Sequence, residues 1–170
     1  MRFFLTTARL GFMCWQEDDL PLARALWGDP EVTRFLGGPF TPESRLQSEI
    51  ELQREHNMQY WPMFLLEGKG HVGCCGLRPY EPGVPELGFH LRPEFWGRGL
   101  AAEAAKGVIE YAFGPLGVEA LFAGHFPENE RSRSVLLKAG FEYQGMKVYP
   151  VTNVLEPAYL LRRREDAGIP

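Results

Sequence analysis

Leu91-Arg92-Pro93-Glu94-Phe95-Trp96-Gly97-Arg98-Gly99-Leu100-Ala101-Ala102-Glu103-Ala104 is the stretch on which the reading of this chain turns. A strand ends at Leu91, two glycines follow with one residue between them, and an alanine-rich helix begins at once. Glycine lets backbone N–H groups approach a ligand with no Cβ in the way. A helix start adds N–H groups that lack partners within the helix, and the positive end of its dipole. Ala101 and Ala102 keep that surface low, and Arg98 adds a mobile positive charge. Such a segment is a site for a pyrophosphate. A P-loop would need Lys-Ser/Thr where Leu100-Ala101 stands, and a Rossmann fingerprint would carry a third glycine where Ala102 stands. A strand-to-helix turn with no ligand accounts for G-x-G alone equally well.

The helix that follows is expected over about Leu100 to Phe113, because Ala101, Ala104, Ala105, Val108 and Ala112 repeat on one face before Gly114-Pro115. Upstream, Phe4 to Met13 reads as one strand. Asp18 or Asp19 would cap a helix to about Trp27, which Asp29-Pro30 breaks, and Thr41-Pro42-Glu43 opens another helix to about His56. Gly37-Gly38-Pro39-Phe40-Thr41-Pro42 reads as a loop within one domain. Three short strands, Tyr60–Glu67, His71–Leu77 and Val84–Leu91, form a meander around turns at Gly68-Lys69-Gly70 and Glu81-Pro82-Gly83. Downstream come a strand at Glu119–Ala123, a helix at Asn129–Ala139 stopped by Gly140, and strands at Tyr143–Val151 and Ala158–Arg162. The pattern is a mixed α/β (α+β) domain.

The chain has 170 residues, with 18 Lys+Arg against 22 Asp+Glu, a formal net charge of −4. One domain over 1–170 is expected. Its 45% hydrophobic and 24% charged residues are enough to bury a core, and its mild acidity argues against nucleic acid as a partner. No apolar run reaches the ~20 residues that span a bilayer, so no membrane partner is expected, and Met1 to Thr7, with one basic and few apolar residues, is not expected to act as a signal peptide. Cys14, Cys74 and Cys75 are odd in number and lack C-x-x-C spacing. Neither a disulfide framework nor a metal site is expected, and a cytoplasmic location is the simplest.

A second segment, Asn129-Glu130-Arg131-Ser132-Arg133-Ser134-Val135-Leu136-Leu137-Lys138-Ala139-Gly140-Phe141, lies one strand further on. Together the two segments resemble the GNAT superfamily of acyl-CoA-dependent N-acyltransferases, and within it the RimJ/RimL-like branch that acetylates ribosomal-protein N-termini. The N-x-x-S-x-x-V-L-x-K-x-G-F pattern is matched by Asn129, Ser132, Val135, Leu136, Lys138, Gly140 and Phe141. The Q/R-x-x-G-x-G/A motif falls on Trp96 to Ala101, with Trp96 in place of the usual Gln or Arg. The branch's W-G-[KR]-G form, followed by E-A, fits Trp96-Gly97-Arg98-Gly99 and Glu103-Ala104. Thr7-Ala8-Arg9-Leu10 and Asp29-Pro30-Glu31-Val32 are also similar to the branch.

The resemblance implies a GNAT-like fold: a mostly antiparallel sheet of about six to seven strands, splayed in the middle and flanked by about four helices. It implies acetyl-CoA as cosubstrate, with Trp96, Gly97, Arg98, Gly99, Leu100 and Ala101 around its pyrophosphate. The pantetheine arm would enter the gap between Val84–Leu91 and Glu119–Ala123, where N–H groups near Phe89 and Leu91 face the thioester carbonyl. Asn129 would bind that arm, and Ser132 would protonate the leaving thiolate; as plain residues, the two read as a helix cap and a first-turn serine.

An alkylammonium must lose a proton before it can attack. Strand alternation puts Glu86, Gly88 and His90 on one face and Leu87, Phe89 and Leu91 on the other. Glu86 and His90 would lie ~13 Å apart at ~3.3 Å per residue, too far to share one amine. Glu86, matching the branch's E-[IL]-G glutamate, is the preferred base, acting through water. His90 and then His125 follow, and an ion-paired strand glutamate is the plain alternative for Glu86. Trp15, Trp27, Trp61, Phe35 and Phe40 are core or acceptor-pocket residues, and Lys138 either meets a phosphate or lies at the surface. No nucleophile constellation is present, so direct acetyl transfer to a primary amine is expected. The amine is a protein N-terminus or a small molecule such as an aminoglycoside or polyamine; a non-catalytic acyl-CoA sensor on the same fold is the other reading. The loops at Thr33–Thr41 and Val151–Pro157 carry no specificity code, and an exposed sheet edge leaves room for a homodimer.

Overall fold

The apolar run from Phe4 to Met13 is not one strand but a hairpin, β1 (Leu5–Thr6) and β2 (Leu10–Phe12), in the computed structural model, which describes residues 2–37 and 40–164. Thr7 N–H donates to the Leu10 carbonyl at 2.8 Å and closes the turn. The cause lies far away in the chain: Glu103 accepts from Thr7 Oγ1 at 2.6 Å and from Arg9 N–H at 2.7 Å, which fixes the turn residues.

Three helices follow, α1 (Leu20–Trp27), α2 (Pro30–Thr33) and α3 (Pro42–His56). Asp19 precedes α1 but does not cap it with its side chain; its carboxylate accepts from Gln16 N–H at 2.9 Å. Asp29-Pro30 does more than end α1, since the Asp29 side chain accepts from Glu31 N–H and starts α2. Thr41 and Ser44 cap each other's backbone at the head of α3, as a capping box does. Of the expected loop at Gly37–Pro42, Gly38 and Pro39 lie outside the described residues.

The meander is β3 (Tyr60–Leu65), β4 (His71–Glu81) and β5 (Val84–Leu91). Then come α4 (Leu100–Phe113), β6 (Ala120–Gly124), α5 (Glu130–Lys138), β7 (Glu142–Tyr149) and β8 (Val154–Arg162). The eight strands form one sheet in the order β1-β2-β3-β4-β5-β6-β8-β7. The first run's division and the short α2 bring the described residues to eight strands and five α-helices, above the six to seven and four expected. Every neighbouring pair is antiparallel except β5 and β6, which run parallel and meet at one residue pair, Glu86 opposite Phe122.

The sheet separates two apolar cores. One lies under α4 and includes Leu87, Leu91, Val108, Leu121 and Leu136. The other lies under α1–α3 and includes Trp15, Leu26, Trp27, Leu46 and Tyr60. Cys74 and Cys75, adjacent on β4, fall one into each. Alternation along a strand requires this. Full burial of such aliphatic side chains stabilises by ~1.5–3 kcal/mol apiece.

Candidate active site

Beyond their single bridge, β5 and β6 diverge. On its other edge β5 stays paired to β4, and Arg92 N–H donates to the Val72 carbonyl at 3.0 Å. In an antiparallel ladder alternate residues face opposite edges. The N–H groups of His90 and Gly88 therefore point at β4, and those of Phe89 and Leu91 point into the gap. Leu91's carbonyl also faces that way and accepts from Trp96 Nε1 at 2.8 Å. Trp96 thus ties the glycine loop to the end of β5. Arg131 lies over the same indole, 4.5 Å from its centroid.

The loop leads into α4 through Gly97 (φ +72°) and Gly99 (φ +74°), both left-handed. A Cβ on Gly97 would meet no heavy atom within 4 Å, and one on Gly99 only Arg9 Nη2 at 3.7 Å. The space above these residues is a cradle that a side chain would fill. Leu100 is buried as the anchor of α4, while Ala101 and Ala102 line the cavity. Arg98 stacks its guanidinium over Phe95 at 5.5 Å and gives its carbonyl to Arg9 Nη1 at 3.1 Å. At the head of α5, Asn129 Oδ1 accepts from Ser132 N–H at 3.2 Å, so the capping role is filled and the amide NH2 of Asn129 remains available.

Gap and cradle belong to one cavity of about 610 Å³, which also reaches Phe35 and Leu36 just after α2, and Tyr149, Thr152 and Glu156 around the β7–β8 turn. Glu86 lies in it, buried, and its Oε2 accepts from the Tyr149 hydroxyl at 2.6 Å. Burial pushes the Glu86 carboxyl up to about 7; the Tyr149 hydrogen bond and Arg78 oppose that rise, and Glu156 adds to it. Beneath it, fully buried Glu49 holds Arg45 and Arg78 and accepts from Tyr60 N–H at 2.8 Å. Sequence reasoning assigned no role to Tyr149, Glu156, Arg45, Arg78 or Glu49. Tyr149 sits 63 positions from Glu86, and no local pattern could join them.

The histidines sit differently. Trp27 Nε1 donates to His90 Nδ1 at 3.2 Å, so the ring proton is on Nε2 and the basic lone pair is engaged. Burial, with Arg45 and Arg78 nearby, holds His90 well below its ordinary value. His125 Nδ1 lies 2.8 Å from the Phe126 carbonyl and must donate there; its Nε2 then accepts from the Tyr159 hydroxyl at 3.1 Å. Both nitrogens of His125 are occupied. Burial also raises the Cys74 and Cys75 thiols well above their ordinary range. Trp15, Trp27 and Trp61 are core, Phe40 packs against the second core, and Phe35 and Lys138 line the cavity. No helix among the described residues is long and apolar enough to cross a membrane.

Known proteins are similar to this chain in sequence and in fold. Residues 9–142 match the model of the acetyltransferase (GNAT) domain. The chain is 30% identical over 149 residues to an uncharacterized N-acetyltransferase p20 of Bacillus licheniformis, covering 84% of each. It is 29% identical over 154 residues to the FsC-acetyl coenzyme A-N(2)-transacetylase of Aspergillus fumigatus, covering 82% of this chain and 65% of that one. In fold it is similar to RimL, a ribosomal L7/L12 alpha-N-protein acetyltransferase in complex with coenzyme A, at a TM-score of 0.80 and 14% identity over 95% of this chain and 98% of that one. A sheet parted at β5 and β6, a glycine cradle at the start of α4 and a domain match over most of its length have one explanation: the chain belongs to the GNAT family of acetyl-CoA-dependent N-acetyltransferases.

Proposed function

We propose that this protein transfers an acetyl group from acetyl-CoA directly to a primary amine, with Glu86 as general base and no acetyl-enzyme. What carries the reading is the meeting, in one cavity, of a buried carboxylate at about 7, two β5 N–H groups facing a gap, and a glycine cradle. A carboxylate poised near neutrality can take a proton from an ammonium and release it again. His90 and His125 lack a ring nitrogen open for that task.

The cradle from Gly97 to Ala101 holds the pyrophosphate on backbone N–H groups, with Trp96 and Arg98 shaping its rim. Asn129's amide NH2 meets the pantetheine arm. The N–H groups of Phe89 and Leu91 face the thioester oxygen, where fixed donors stabilise the charge of a tetrahedral intermediate. The acceptor ammonium gives one proton to Glu86. The neutral nitrogen attacks the carbonyl carbon, and the C–S bond breaks. The second nitrogen proton goes to the departing sulfur through Ser132. Glu86 returns its own proton to solvent.

Relatives act on unlike acceptors by name, a ribosomal protein in one case and FsC in another, so the acceptor is sought by assay. The protein is incubated with acetyl-CoA and a panel of peptide N-termini and small amines, and free thiol is followed. Amine-dependent thiol release with sequential initial-rate patterns supports the proposal. Ping-pong patterns with labelled acetyl on the protein, or tight coenzyme A binding with no turnover on any amine, would overturn it.

A further inference from the structure

Resting on that reading, the structure assigns Glu156 a role in choosing the acceptor: we infer that its carboxylate binds a second cationic group on the amine substrate, apart from the nitrogen that is acetylated. Glu156 is buried, 8% exposed, and lines the same cavity as Glu86. Thr152 Oγ1 donates to its Oε1 at 3.1 Å and holds the carboxylate in place. Oε2 has no hydrogen-bond donor among the described residues, and it lies 3.7 Å from where a Cβ on Gly124, another residue lining the cavity, would stand.

The neighbouring charges make this carboxylate unusual. Arg45 and Arg78 both turn to Glu49. Lys147 stands opposite Glu156 in the β7–β8 ladder but forms no ion pair with it, and no other described cation does. Arg45 and Arg78, which line the cavity, are thus committed to Glu49 beneath it, and neither Glu86 nor Glu156 has an ion-pair partner among the described residues. A charge taken out of water without a partner is costly. A cationic ligand removes that cost, and its removal appears as affinity. The reacting nitrogen cannot be that cation at the moment of attack, because it must be neutral. The cation at Glu156 is thus a second centre on the same acceptor, as in a diamine or in a peptide with a basic residue next to its N-terminus.

Matched pairs of amines test this. 1,4-Diaminobutane is compared with butylamine, and alanyl-lysine amide with alanyl-norleucine amide, each titrated calorimetrically into the protein saturated with coenzyme A. In at least one pair the dication is expected to bind about tenfold more tightly. That difference should collapse in Glu156→Gln through loss of dication affinity and survive in part in Glu156→Asp, with coenzyme A affinity retained. Equal binding within both pairs, or a preference that persists in Glu156→Gln, would overturn the assignment. Turnover of the same amines reads the parent proposal separately: acetylation without any dication preference defeats the role of Glu156 alone.

Discussion

Glu86 brings two consequences of one burial into conflict. A carboxyl held from its ordinary 4.5 up to about 7 binds its proton more tightly in the folded protein than in the unfolded chain. Between those values the native state carries more protons, so stability falls as pH rises through the window. The cost at alkaline pH is on the order of 3 kcal/mol, from about 1.4 kcal/mol for each pH unit. Glu86→Gln is therefore expected to melt higher than the parent at pH 8, with little difference at pH 4.5; thermal melts at the two values check it. The same variant should lose about 10²-fold or more in kcat, keep coenzyme A affinity, and lose the rise of kcat with pH around 7. Full activity in Glu86→Gln would remove it as the base. Tyr149→Phe deletes the 2.6 Å hydrogen bond that favours the ionised carboxylate. The Glu86 carboxyl then rises further, and the limb of the kcat profile should move to higher pH. Glu86 was readable because strand alternation and a motif both marked it. Tyr149 and Glu156 were not, because they reach the carboxylate only through the β7–β8 pairing, a long-range event with no local signature.

At the scale of elements, α4 begins at Leu100 and β5 ends at Leu91, as the glycine-flanked periodicity implied, because their stops are local chemistry. The β1–β2 hairpin was illegible for the opposite reason. Its turn at Thr7-Ala8-Arg9 is set by Glu103 on α4, which also binds Arg9 Nε at 2.6 Å. Arg9 in turn reaches the Arg98 carbonyl, so the hairpin braces the cradle. The cradle itself makes a sharp forecast. Gly99 at φ +74° has open space above it, and a side chain there adds strain of roughly 1–2 kcal/mol without a packing clash. Valine would be a poor probe, since β-branching aggravates strain in that region. Gly99→Ala should lower the melting temperature by only a few degrees while raising the coenzyme A Kd about tenfold or more. An unchanged Kd by calorimetry would move the pyrophosphate elsewhere.

Across the whole molecule, the parted sheet makes a binding slot out of unspent hydrogen bonds. Among the described residues, five strands on one side and three on the other are joined by strand pairing only where Glu86 faces Phe122. α4 packs against β4 and β5 and also meets α5, which keeps the two sides together where the ladder does not. Such a gap would be expensive if sealed from water, because buried N–H groups are nearly always paired. Opening it to a cavity lets water serve those groups until a ligand takes its place. Hydrogen exchange resolves this amide by amide. In the free protein the Phe89 and Leu91 amides should exchange much faster than that of His90, which lies between them but points to β4. Saturating acetyl-CoA should slow Phe89 and Leu91 and leave His90 nearly unchanged, because only the gap-facing pair gains acceptors from the thioester and the pantetheine arm. Bound cosubstrate at 100 times its Kd also adds about 2.7 kcal/mol to global stability. That addition slows globally opening amides alike, so the informative quantity is the alternation: uniform protection of all three residues before and after binding would mean that no ligand lies along β5.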